Sequence, residues 1–547
     1  MVKEHQADGT INKEMRDIII YTFILLNTLS GDRLSGQYVK TLLLLDRQCY
    51  GTGEIAYGYF TIEGATMQNK SLRFEVVNIT NEETVYQSSI KVQNNGGSFY
   101  IPISEDMKSG TYVIDVYVCT VENVTTRNII PAANIMINII NGGESKLQRE
   151  SFYDPVSSSE NSLKSSASLK ISAEFNPTTK SHDISLSNSI NDTIRFIAAA
   201  DPRKFNMSIE EKTWNQTYIN SFSEKIFHVV HVSDDKNQKQ FGLIGLYSDN
   251  ADKMFISKSD IDGQAIFLFD DFEGSHGFNL FVYQNYAVKT FSPLKRYKDR
   301  FKPVSDNNWN VIQAEAEEIR KRSNIHHYFE VNTFGLKSPG LMKKHTAPKP
   351  FWNITPSTYK IFPELQSFCK ENSLELRFKS VKDKIVPALS PPPRFTNTYE
   401  KVEWEYPLFI VDGKPENDFK KIASMKSQDI NSMQIYYEKR EIIPWLYAFG
   451  SNGVVKMETK NKPNINPQLR INGYQSQFND HHNIIGDAKA NNKPILIPTI
   501  LWKNNIENKS SSFNLIDNTD NTPKNLMVIF SNNKKLFLTS TELKINK

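Results

Sequence analysis

From residue 38 onward the chain is written in short apolar and alternating runs separated by turn residues, the pattern of a β-rich protein. Gly110-Thr-Tyr-Val-Ile-Asp-Val-Tyr-Val118 keeps a two-residue period, which sends alternate side chains to opposite faces of a strand. Tyr38-Val-Lys-Thr-Leu-Leu-Leu-Leu-Asp46 and Leu72-Arg-Phe-Glu-Val-Val77 alternate or run apolar, and Asn94-Asn-Gly-Gly97 supplies a turn. These runs predict a β-sandwich over 38–142. Residues 143–168, with Ser157-Ser-Ser-Glu-Asn-Ser-Leu-Lys-Ser-Ser166, have no period and read as a linker. Runs at Lys170–Phe175, Asp183–Ser187 and Thr193–Ala198 predict a small β unit within 169–225. Phe241–Tyr247, Phe255–Phe269 and His276–Tyr283 predict a further sandwich over 226–300, with Asp262-Gly263 as a hairpin turn because Gly tolerates φ > 0.

The clearest helical spacing lies in 301–355. Trp309, Ile312, Ala316 and Ile319 recur at three- and four-residue intervals behind Ser305 or Asp306 as cap, predicting a helix from Ser305 to His326. An α+β unit follows over 356–460, with a helix near Phe362–Lys370, a strand at Leu374–Phe378 and an exposed loop at Pro391-Pro-Pro393. Alternating strands over 461–547 predict a terminal sandwich. The fold class is therefore mainly β, serial sandwiches with one smaller α+β unit and no transmembrane barrel.

Ahead of residue 38 the pattern changes. Lys13 and Arg16 precede Ile18-Ile-Ile-Tyr-Thr-Phe-Ile-Leu-Leu26, an apolar run that fits a signal-peptide core and falls short of the roughly 20 residues a membrane helix needs. Ser30, Gly31, Ser35 and Gly36 offer cleavage positions around Gln37, so 1–36 is expected to be a signal peptide, with Met15 an alternative start. A buried strand or helix is the other reading of this run. No Cys follows it closely, so a lipid anchor is not expected, nor is any membrane helix in the mature chain. The net charge of +4 over 547 residues, with no basic stripe, argues against nucleic acid as a partner.

Three stretches late in the chain then carry a resemblance. Pro407-Leu-Phe-Ile-Val-Asp-Gly-Lys-Pro415, Gln428-Asp-Ile-Asn-Ser-Met-Gln-Ile435 and Gly450-Ser-Asn-Gly-Val-Val-Lys-Met-Glu-Thr459 resemble the plug domain of TonB-dependent outer-membrane receptors. The resemblance implies a strand ending in V-D-G, a helix, a D-I-x-S strand and a closing strand, with Asp412, Gly413, Asp429, Gly450 and Gly453 as structural turn positions. Such a plug sits within a barrel of about 22 strands, each about 9–11 residues long. Residues 460–547 are too few for one, so a plug without its barrel is expected.

Leu45-Asp-Arg-Gln-Cys-Tyr-Gly-Thr-Gly-Glu54, Gly97-Ser-Phe-Tyr-Ile-Pro102 and Ser109-Gly-Thr-Tyr112 resemble a macroglobulin (MG2)-type domain. The span from Asp260 to Phe267 resembles a carboxypeptidase-regulatory-like sandwich. Ile471-Asn-Gly-Tyr-Gln475 and Pro498-Thr-Ile-Leu-Trp502 resemble segments that open a terminal sandwich. Taken in order, the four are similar to a Bacteroidetes envelope family. That implies an exported protein of the periplasm or outer membrane of a Gram-negative cell, with envelope or outer-membrane proteins as partners.

Catalytic patterns fail on residue type. No Cys lies in the G-C-G-E-Q context of a thioester, and no H-E-x-x-H occurs. His326-His327 and His481-His482 are adjacent pairs whose members point different ways. Gly450-Ser-Asn-Gly453 reads as a hairpin turn rather than a serine elbow. Asp260 and Asp262 lack the later oxygen ligands of a calcium loop. The chain is expected not to be an enzyme, with no catalytic, metal or cofactor-binding residues and no cofactor. Cys49 and Cys119 fall in one predicted β domain and could form a disulfide in an oxidising compartment, while separate buried thiols fit equally. Tyr436, Tyr437, Trp445 and Tyr447 cluster in the plug-like unit, as a platform for a glycan or peptide ligand or as packing. Three functions follow: a modular binding scaffold, a ligand-binding accessory of nutrient uptake, or a macroglobulin-like protease inhibitor lacking the thioester.

Overall fold

The computed structural model describes residues 38–543, leaving out 64–68, 93–95, 122–126, 156–168, 177–180, 189–191, 201–207, 216–221, 234–241, 283–286, 291–300, 330–347, 390–405, 438–441, 443–445, 450–451, 463–466, 476–498, 505–509, 517–523 and a few single or paired positions. The signal-peptide reading of 1–36, the Pro391–Pro393 loop and His481-His482 fall outside the described residues.

The chain is mainly β. In the first sandwich a sheet ordered Ser208–Asn215, Tyr38–Leu45, Ile55–Glu63, Gly96–Pro102 faces one ordered Cys49–Gly51, Arg127–Ile140, Gly110–Val121, Ser71–Asn78, Thr84–Lys91. The two-residue period does what it predicts: Leu43, Leu45, Phe60 and Phe99 from one sheet meet Phe74, Val76, Ile114 and Val116 from the other in a single apolar core. The Phe74 and Phe99 rings lie 4.9 Å apart.

The second unit pairs a sheet of Gln264–Phe269, Ile226–Ser233 and Ala287–Thr290 with one of Lys253–Lys258, Leu243–Ser248, Ser275–Val282 and Leu469–Asn472. Its core is phenylalanine-rich, with Phe255, Phe267, Phe269, Phe272 and Phe278 around Leu246 and Ile471. The α+β unit has a five-stranded sheet ordered Trp352–Ile354, Ile430–Tyr436, Val454–Thr459, Leu408–Val411, Lys414–Glu416. Leu408–Val411 and Val454–Thr459 run parallel, and the helices Leu365–Glu371 and Phe419–Ala423 bury Leu365, Phe368 and Ile422 against the sheet. Asp418 caps the second helix by accepting from the Lys421 N–H.

Strand pairing departs from the domain boundaries expected from sequence. Ser208–Asn215 leaves the 169–225 stretch to complete the first sandwich beside Tyr38–Leu45. Leu169–Asn176 and Ser181–Asn188 pair with Ser510–Ile516, and Asp192–Ala200 lies between Thr499–Asn504 and Lys524–Asn532. The terminal strands and the small β unit are thus one structure. The linker also begins later than expected. Residues 143–155 are folded: Leu147 and Phe152 are buried with Ile140, Val304, Ile312 and Ile319, and Tyr153–Pro155 pairs with Phe301–Pro303. The helix spans Asp306–Phe329 and packs through Trp309, Ile312, Ala316 and Ile319, the stripe read from its spacing. Among the described residues no helix is long and apolar enough to cross a membrane.

Candidate functional site

The stretch Pro407–Thr459 contributes strands and a short helix to the α+β unit. Leu408–Val411 and Lys414–Glu416 are joined by the two-residue turn Asp412-Gly413, both at positive φ (52° and 83°), the conformation of a tight hairpin. Asp412 is buried, and its carboxylate accepts from the Thr459 N–H and hydroxyl, each at 2.7 Å. Those bonds tie the turn to the end of Val454–Thr459. Gly453 (φ 93°) opens that strand, its carbonyl accepting from the Leu408 N–H. Asp429 is exposed and closes a 3₁₀ turn before Ile430–Tyr436, its carbonyl accepting from the Lys460 N–H. Gly450 lies outside the described residues.

This turn is already occupied by the chain itself. Asn279 donates from Nδ2 to the Gly413 carbonyl at 3.0 Å, and the Asp249 carboxylate stands where a Cβ on residue 413 would be. Lys456 pairs with Asp252 at 2.9 Å, and Tyr247 donates to the same carboxylate at 2.5 Å. Beneath them Tyr247, Met254 and Phe281 of the second unit share an apolar core with Leu408, Ile410, Tyr436 and Val454. The α+β unit is docked on the second sandwich by the face that carries its signature.

The decapeptide Leu45–Glu54 is a polar knot at one corner of the first sandwich. Asp46 accepts from the Tyr50 hydroxyl at 2.6 Å and the Tyr57 N–H at 3.0 Å. Arg47 bridges Asp46 at 3.4 Å and Glu54 at 2.8 Å and lies 4.5 Å over the Tyr50 ring. Glu54 also accepts from the Gly51 N–H. Asp46, Arg47, Tyr50, Gly51 and Glu54 satisfy one another, so this spacing encodes a buried hydrogen-bond network.

A second buried network joins the first two units. Arg73 donates to Glu75 (2.8 Å), to the Phe227 carbonyl (2.9 Å) and to Gln87, and its Nη1 meets His228 Nδ1. Glu75 stands opposite Asp115 across the strand pair, both buried. Burial, with the Arg73 charge beside it, holds His228 well below the ordinary imidazole pKa, so it is neutral in the fold. The unfolded chain takes up this proton near pH 6.5 and the folded chain does not. Stability is therefore full above about pH 6.5 and falls as the pH drops towards the folded value, by up to about 1.4 kcal/mol per unit. Hydrogen exchange at the amides of strand Ile226–Ser233, compared at pH 7.5 and 5.5 after correction for the intrinsic rate, checks this. His228→Gln should flatten the difference; an equal acid loss in both proteins refutes it.

The remaining sequence candidates separate. Tyr436 is buried, bonded to Gln434 at 2.8 Å, and pushed up to about 12 by burial and by Asp252. It is core, not platform, because its strand is covered by the second unit. Tyr437 is half-buried; Trp445 and Tyr447 lie outside the described residues. Of the two readings left open for Cys49 and Cys119, the structure has no disulfide between them. Along strand Arg127–Ile140, Cys49 is level with Asn138 and Cys119 with Ile129. That offset corresponds to roughly 30 Å at about 3.3 Å per residue, against a Cα separation of at most about 7 Å for a disulfide. Burial pushes the Cys119 and Cys369 thiols up to about 12.

Sequence reasoning missed the opposite edge of the α+β sheet. On the edge strand Trp352–Ile354, Trp352 is 40% exposed, and the preceding Phe351 is 63% exposed. The Phe351 ring meets Trp352 at 6.2 Å and Tyr437 at 5.2 Å, both edge-on. Tyr359, Ile361 and Val381 of the same unit are also at least half exposed, and Lys349, Lys360, Lys379, Lys382 and Lys384 are exposed among them in sequence. The only signal was Phe351-Trp352 between prolines and lysines, without a period to assign a face.

No family model matches the chain, and no curated protein matches it in sequence. Among solved structures, trypsin-activated alpha-2-macroglobulin from Escherichia coli is similar at 8% identity and a TM-score of 0.22, covering 94% of this chain and 42% of that one. The same protein activated by porcine elastase gives 9% identity and a TM-score of 0.22, covering 92% and 43%. The chain thus spans about two-fifths of the length of these structures. At this level the likeness carries no argument for fold or function.

Proposed function

We propose that the chain is an exported, non-catalytic protein of the cell envelope that serves as a modular binding scaffold. Its plug-like unit docks an outer-membrane protein along the Trp352–Ile354 edge. The exposed Phe351/Trp352 pair on an open edge strand carries this reading. An edge strand presents backbone donors and acceptors to which a partner strand can add, and aromatic side chains beside it supply the energy of such contacts. The other edge, with the Asp412-Gly413 turn, is taken up by the second sandwich. The envelope location rests on the apolar run Ile18–Leu26 and on the order of the motifs.

Trp352→Lys in the full chain tests the docking. A central aromatic contact is worth about 2 kcal/mol or more, some thirtyfold in affinity. The variant should lose co-purification with outer-membrane proteins while unfolding at the same temperature. Unchanged co-purification would sink the proposal.

A further inference from the structure

The segment Ser145–Glu150 and the long helix enclose a groove of about 780 Å³, within the range of ligand sites, about 300–1,000 Å³. It exists because Leu147 and Phe152 anchor the segment against Ile312, Ala316 and Ile319, holding it alongside the helix. Trp309, Gln313, Glu317 and Arg320 line it from positions i, i+4, i+8 and i+11, one stripe of the helix, facing Lys146 and Arg149. Arg149 lies 6.0 Å over the Trp309 ring and is paired with Asp306, so its charge is already answered. Arg320 is different. Its Nε is buried, and among the described residues it has no hydrogen-bond partner. A buried donor left unpaired costs about 1–3 kcal/mol.

We infer that this groove binds an extended peptide segment bearing a carboxylate, with the carboxylate accepting from Arg320. A guanidinium presents a fork that matches a carboxylate, and such bonds are the strong ones. Glu317, one turn away and lining the same groove, opposes a doubly charged phosphate and favours a ligand that also brings N–H donors, as a peptide backbone does. Gln313 can pair with that backbone, and the Trp309 ring gives an apolar wall for a neighbouring side chain. This inference is independent of the docking edge, which lies on another unit.

Calorimetry on the full chain tests it with acetyl-Tyr-Ala-Glu-Ala-amide, its Gln counterpart and acetate. The Glu peptide should bind at least tenfold more tightly than the other two, and Arg320→Gln should remove that preference without lowering the unfolding temperature. Absence of Glu-peptide binding, equal binding of the two peptides, or acetate binding as tightly overturns the inference. So does a large fall in the unfolding temperature of Arg320→Gln, because Arg320 would then have a structural partner.

Discussion

Replacing Arg47 by methionine is expected to destabilise the first sandwich by about 3–5 kcal/mol, the usual result of removing one member of a buried ion network. Methionine keeps the apolar stem of arginine and removes the charge, so packing loss contributes little. What remains is the problem of Asp46 and Glu54. Asp46 is fully buried, and the Glu54 side chain is only 12% exposed. Burial works against the Arg47 charge, but the facing carboxylates outweigh it and hold the guanidinium above its ordinary pKa. Without it, the two carboxylates lose the cation between them while the Tyr50 hydroxyl and the Tyr57 and Gly51 N–H groups still hold them at this corner. Global unfolding of a multi-unit chain is not two-state, so a local probe is better. Hydrogen exchange at the Tyr57 and Gly51 amides reports on this corner, and a change below about 1 kcal/mol would refute the network's role. Glu54→Gln should cost less, and the double variant less than the sum, because the residues are coupled.

That network shows what was legible from sequence and in what sense. Asp46, Arg47, Tyr50 and Glu54 were visible as a motif because residues that bond one another locally must keep their spacing. The Asp412-Gly413 turn was legible for the same reason, since it is a local conformational demand and its strands flank it. The helix stripe Trp309, Ile312, Ala316 and Ile319 was readable from its period. Partnership between distant strands was not. Nothing in the alternation of Asp192–Ala200 or Lys524–Asn532 names the other strand, so units joined by the fold were read as separate. The choice between a Cys49–Cys119 bond and separate thiols stayed open for the same reason: sharing a domain does not place two residues at the same level of a sheet.

The same limit explains the tail motif, and it leads to the second large expected effect. Ile471-Asn-Gly-Tyr-Gln475 was read as opening a terminal sandwich, but it straps the first two units together. Leu469–Asn472 pairs with Ser275–Val282, and the next three residues cross to the strand Thr84–Lys91. Asn472 donates to the Gln87 carbonyl at 2.6 Å; Gln475 donates to the Tyr86 hydroxyl and the Tyr100 carbonyl, and accepts from the Tyr100 N–H. The crossing depends on Gly473. A Cβ there would lie 2.2 Å from the Phe272 carbonyl oxygen and 2.4 Å from its ring, and backbone cannot step aside as a side-chain tip can. The Gly473 carbonyl meanwhile accepts from the Ser89 N–H and the Ser88 hydroxyl. Gly473→Val should therefore cost about 3 kcal/mol or more, overpacking contributing about 1–3 and each lost buried hydrogen bond about 1. Gly413→Ala makes the contrast. Its obstruction is the half-exposed Asp249 carboxylate, which can rotate away, so the expected cost is the left-handed backbone alone, about 1–2 kcal/mol. Hydrogen exchange at the Ser89 and Gln475 amides should accelerate in Gly473→Val and stay unchanged in Gly413→Ala. If Gly473→Val leaves both amides protected, the strap does not hold the two sandwiches together.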